Sequence, residues 1–76
     1  MMKQPIPHIV HAISEGGRVL VLDDGSSWLI TPDDRIILGL WKAGAHVGVA
    51  QSGHAEELIE NFDNGTAVRG VFAGQR

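Results

Sequence analysis

Short apolar runs alternate with glycine-broken turns at close spacing along this chain. "DDGS" (Asp23 to Ser26) and "DNGT" (Asp63 to Thr66) each separate two short apolar runs, and "SEGG" (Ser14 to Gly17) makes a third break. The runs are His8 to Ile13, Arg18 to Leu22, Ser26 to Thr31, His46 to Ala50, Glu57 to Phe62 and Ala67 to Ala73. Short runs at this spacing predict an all-β fold of five or six strands, a sandwich or a barrel. Asp24-Gly25 and Asn64-Gly65 suit type I′ hairpins, which ask for positive φ at both central residues.

The pattern changes after Thr31. Thr31 can cap a helix, Pro32 suits its first position, and Asp33 and Asp34 fall where the helix dipole favours negative charge. Gly39 and Gly44 stop it early, so one short helical turn is expected near residues 32–40. Residues two apart in a strand share a face, which sets Trp28 and Ile30 against Leu29 and puts Val47 with Val49. Trp28, Trp41, Val47, Val49 and Phe72 are the expected core. The run from Arg18 to Leu22 is apolar on both faces, which calls for strong coiling in a small closed barrel or for a cover such as Ile36 to Trp41.

With 76 residues there is room for one domain, residues 1–76, whose ordered part is expected at about 6–73. The absence of cysteine excludes disulfides, thiolate zinc sites and cysteine nucleophiles. Net charge is −3 and the six Lys and Arg are scattered, which disfavours nucleic acid as a partner. No apolar run approaches the roughly 18 residues of a membrane span, and the N-terminus lacks a signal-peptide pattern. The cytoplasm is the default compartment.

"LDDGSSW" (Leu22 to Trp28), Pro32-Asp33-Asp34, "WKAGAHVGV" (Trp41 to Val49) and "ELIENFDNGTAVRG" (Glu57 to Gly70) carry a resemblance over about residues 9–73. The pattern, a DGS-x-W hairpin and a W-x-x-G turn into a strand, resembles a family of small bacterial β-barrel proteins of uncharacterised function. That resemblance implies an SH3-like barrel of five or six strands with one short helical turn. It implies no activity, because the matching residues are turn formers and aromatics. Gly44-Ala45 stands where the family has Gly-Asp, and Ile36 to Leu40 is more apolar than its pattern.

Each group of chemistry-bearing residues also has a plain structural role. Asp23, Asp24, Asp33 and Asp34 could gather at one barrel end around a hard cation, yet each pair is explained as turn or helix-start chemistry. His8 and His11 face opposite sides of a strand. His46 and His54 with a glutamate form a metal alternative without standard ligand spacing. Ser26, Ser27, Ser52 and Thr66 lie in no nucleophile-elbow motif. Ile36, Ile37, Leu38 and Leu40 exceed the needs of one small core, so they are either an interface for self-association or a partner protein, or a plug in the barrel end. The expectation is a protein-interaction or structural module without catalysis, cofactor or small-molecule substrate. The alternatives are a nucleic-acid-binding barrel using Arg18, Arg35 and Arg69, and the His/Glu metal protein.

Overall fold

A computed structural model describes residues 6–50 and 52–75. Six strands, β1 (Ile6–Ile13), β2 (Val19–Leu22), β3 (Ser26–Ile30), β4 (His46–Val49), β5 (Glu56–Asn61) and β6 (Ala67–Gln75), form a closed barrel. Their order around it is β1-β2-β3-β6-β5-β4, with every neighbouring pair antiparallel. The small all-β barrel with one short helical segment is therefore the fold. Residues 1–5 and 76, expected to be loose, lie outside the described residues, whereas Gly74 and Gln75 belong to β6.

Two long strands turn the corners that let so short a chain close. The first half of β1 pairs with β4 (Ile6↔Val49 to Ile9↔His46) and its second half with β2 (Val10↔Leu22 to Ile13↔Leu20). A register shift between Val10 and Ala12 bends the strand there, as a bulge does. β6 divides likewise, pairing with β5 up to Val71 and with β3 from Gly70 to Gln75.

Alternation then fills the interior. Val10, Leu20, Leu22, Ile30, Val47, Ile59 and Val68 are at most 2 % exposed, and each such side chain contributes about 1.5–3 kcal/mol of burial. Leu29 faces out, as the period-two reading requires.

The two barrel ends differ. At one end lie the 3-10 turn Glu15–Gly17, a second 3-10 turn Pro32–Asp34, the helix α1 (Arg35–Leu38) and the β5–β6 connection. Leu38 of α1 is fully buried in the core cluster with Trp41, and Ile37 packs against that cluster. The segment therefore acts as the plug, which corrects the interface reading for Leu38 and Ile37. Ile36 and Leu40 remain exposed, at 82 % and 74 %. At the opposite end stand the start of β1, the β2–β3 turn, the β4–β5 connection and the end of β6. No helix covers that end among the described residues.

Phe72 was expected in the core and is 51 % exposed. The physical reason is β6's overhang: its pairing with β5 ends at Val71, so Phe72 has a strand on one side only. Trp28, opposite it on β3, is half-buried.

The hairpins also differ from the type I′ expectation. Gly25 (φ 84°) and Gly65 (φ 77°) have positive φ, but Asp24 and Asn64 do not. Gly25 N–H donates to Leu22 O at 2.9 Å, a four-residue turn followed by a left-handed glycine. The Asn64-Gly65 loop is longer, closed by Asn61 N–H to Thr66 O at 2.8 Å.

Candidate functional site

Both glycine turns end in the same hydrogen-bond relay, and each relay fixes a tryptophan. Asp24 Oδ1 accepts from Ser26 N–H (2.9 Å) and Ser26 Oγ–H (2.6 Å), and Ser26 Oγ accepts from the Trp28 indole N–H at 3.0 Å. Asn64 Oδ1 accepts from Thr66 N–H (3.0 Å) and Thr66 Oγ1–H (2.6 Å), and Thr66 Oγ1 accepts from the Trp41 indole N–H at 2.9 Å. The outcomes differ because of location. Trp41, at the plugged end, is 5 % exposed; Trp28 stands at the open end with a face still accessible.

The open end forms a mouth of about 290 Å³ lined by Ile6, His8, Asp24, Trp28, Glu57 and Phe72, among others. Trp28 and Phe72 meet edge to face, with ring centroids 5.5 Å apart and planes at 69°. Their contact keeps each ring in place without covering it. Larger depressions of about 540 and 390 Å³ flank the plugged end, and one of about 350 Å³ lies on the outer wall beside Ile9 and Phe62. Only the mouth sets two carboxylates against an aromatic pair.

Each mouth carboxylate is held by hydroxyl and amide donors. Asp24 lies below its ordinary pKa mainly through the Ser26 hydroxyl, then the Ser26 amide. Glu57 is lowered chiefly by the Ser52 hydroxyl, which donates to Oε1 at 2.5 Å, with the Ser52 amide at 3.1 Å. Asp23, behind the rim, is lowered first by its hydrogen bond from His8. His8 Nδ1 lies 2.9 Å from Asp23 Oδ1 and Nε2 lies 3.9 Å from Asp24 Oδ2, so the imidazole bridges β1 to the β2–β3 turn.

Among the described residues, His8, Asp23 and Asp24 are the group whose ligand-type atoms lie within 4.8 Å of one another. The two ring nitrogens address different carboxylates, an arrangement that clamps the turn. Asp33 and Asp34 do not join it, since they follow β3 while Asp23 and Asp24 precede it. Asp34 Oδ2 instead accepts from Arg69 N–H at 2.8 Å and Thr31 Oγ1–H at 3.2 Å, pinning the Pro32–Asp34 turn to β6.

The other sequence candidates are dispersed. His46 begins β4 at the plugged end, paired with Asp63 at 3.3 Å, whereas His54 lies beyond the far end of β4. At about 3.3 Å of rise per residue they cannot share an ion. Asn61 is buried and structural: its Oδ1 accepts from Asp63 N–H and Asn64 N–H. The backbones of Arg18 and Arg69 and the side chain of Arg35 meet at the end of β3. Arg18 O accepts from Ile30 N–H, Arg69 O from Thr31 N–H, and Arg35 Nε–H donates to Ile30 O at 3.3 Å.

Linkage gives the site a pH signature. Depressed carboxylate pKa values contribute stability that is present above the unfolded values, near 3.8 for aspartate and 4.5 for glutamate, and is lost as pH falls through the folded values. The melting temperature is therefore expected to hold down to about pH 5 and to fall steadily below about pH 4. A melting temperature that rose on acidification through this window would contradict the described hydrogen bonds.

Among the described residues no helix is long and apolar enough to cross a membrane. No protein-family model, curated protein or solved structure matches the chain.

Proposed function

We propose that this barrel is a protein-interaction module without chemistry of its own and that its open mouth is the binding site. The observation that carries the reading is the partly exposed Trp28–Phe72 pair set against Asp24 and Glu57 at the end that no described helix covers. Preformed aromatic faces with a few placed polar groups are what recognition sites present. The mouth is slightly smaller than the roughly 300–1,000 Å³ of small-molecule sites, which suits one protruding side chain of a partner. The hydroxyls of Ser26, Ser52 and Thr66 donate straight to carboxylate or amide oxygens, with no imidazole in line to activate them. This favours binding over catalysis. The resemblance to small bacterial barrels, carried by the same DGS-x-W turn, accords with an SH3-like module of this kind.

The two phenylalanines supply a matched test. Phe72 lines the mouth and Phe62 lies on the outer wall, with nearly equal exposures of 51 % and 53 %. For peptides selected by display against the wild type, Phe72→Ala is expected to weaken binding at least about tenfold and Phe62→Ala to leave it unchanged. Selection of no binder, or loss confined to Phe62→Ala, would contradict the reading.

A second reading has its own observation, the placing of Arg18, Arg35 and Arg69 on neighbouring backbone at the plugged end. Asp33 and Asp34 in the same region offset most of that charge. A salt-sensitive affinity for single-stranded RNA, abolished by Arg18→Gln with Arg69→Gln, would favour nucleic acid over the mouth.

A further inference from the structure

The described basic residues gather at one end of the barrel, with Asp33, Asp34 and Asp63 beside them, while the other end carries carboxylates and no described lysine or arginine. Arg18, Arg35, Lys42 and Arg69, all the described lysines and arginines, belong to the plugged end, while Asp23, Asp24, Glu56 and Glu57 belong to the open one. The hydrogen bonds of the rim use Asp24 Oδ1 and Glu57 Oε1. Asp24 Oδ2 faces the His8 ring, with Nε2 3.9 Å away, and both carboxylates line the mouth. Trp28 and Phe72 line the same mouth, and the negative quadrupole of an aromatic face attracts a cation. A simple ammonium could use the charge alone, but a site joining carboxylates to flat aromatic surface matches a planar, weakly hydrated cation better.

We propose that the mouth receives the guanidinium of an arginine presented by a partner protein, its plane against the Trp28–Phe72 pair and its N–H groups toward Asp24 and Glu57. The inference rests on the reading of the mouth as the binding site, and adds the chemistry of its occupant. Charge complementarity carries it: an acidic, aromatic cup on a chain of net charge −3 excludes an acidic side chain and gives a neutral apolar one no use for the carboxylates.

The test uses two end-blocked pentapeptides, Gly-Ser-Arg-Ser-Gly and its counterpart with neutral, isosteric citrulline in place of arginine, titrated into the full chain and followed by NMR. The Trp28 indole N–H signal is expected to move with the arginine peptide, and the affinity to fall about tenfold with citrulline, with added salt, or in Glu57→Gln. Glu57→Gln keeps the side chain's length and an acceptor oxygen for Ser52, so it tests charge without removing the rim.

Equal affinity for the two peptides would overturn the arginine assignment and leave the mouth as the binding site. The same holds if display-selected peptides move Trp28 while the arginine peptide does not. Movement of the Trp41 indole with Trp28 unmoved would overturn both. A shift of Trp28 with protein concentration alone would make a second copy of the chain the occupant and would also overturn the assignment.

Discussion

Gly17→Ala is expected to destabilise the protein by about 2–5 kcal/mol, a sum of two effects at one residue. Gly17 has φ +68°, in the left-handed region where a Cβ costs about 1–2 kcal/mol. That Cβ would also press against the backbone of α1, with the Arg35 carbonyl carbon at 3.2 Å, Gly39 N at 3.3 Å and the Arg35 oxygen closer still. Backbone atoms cannot rotate aside, so α1 must shift and carry Leu38 with it, an overpacking cost of about 1–3 kcal/mol. A chain of 76 residues has roughly 4–11 kcal/mol to lose. Gly16→Ala is the control: φ is +75°, but the nearest atoms are those of the flexible Arg18 side chain at 3.9 Å. Urea unfolding should show Gly17→Ala clearly less stable than Gly16→Ala. Equal losses would mean that the Glu15–Gly17 turn does not press on α1.

Leu38→Ala is expected to cost about 2–5 kcal/mol, comparable to a central core residue although it sits on a four-residue helix. An isolated helix of this length has no stability of its own; it persists because Leu38, Ile37 and Trp41 are seated in the barrel end. Removing the Leu38 side chain leaves a cavity that the closed sheet cannot collapse to fill. Ile36→Ala, two residues away and 82 % exposed, is expected to change stability by no more than about 0.5 kcal/mol. Thermal melts of the two variants decide between plug and interface. Similar small losses would return residues 36–40 to the role of an exposed surface.

Much of the fold was legible because strand content is written locally. Period-two alternation placed Ile30, Val47 and Val49 inward and Leu29 outward, and Thr31-Pro32-Asp33-Asp34 marked the start of the helical segment. What failed depended on tertiary context. Phe72 has the sequence of a core aromatic, but its burial depends on how far β6 outruns β5, a register that no local window contains. The type I′ assignment failed because Asp-Gly and Asn-Gly fit two kinds of loop, and the side chains of Asp24 and Asn64 settle the choice by accepting from the residue two positions on.

The site was half legible. Asp24-Gly25-Ser26 and Asn64-Gly65-Thr66 repeat one chemical pattern, an acceptor, a glycine and a hydroxyl, and the repeat signals the two tryptophan relays. Reading "DDGSSW" as a turn with a tryptophan beside it was right as far as it went. The structure adds that this turn walls the open end of the barrel. His8, fifteen residues before Asp23, had no sequence signal linking it to the turn, since that pairing arises from closure of β1 against β2.

The most direct test of the mouth as the binding site uses the two tryptophans as opposed reporters. Their indole N–H signals come from opposite ends of the barrel, each fixed by its own hydroxyl. In a two-dimensional NMR titration with a display-selected peptide, the Trp28 indole should shift to saturation while Trp41 stays in place. A saturating shift of Trp41 with Trp28 unmoved would place binding at the plugged end and contradict the account.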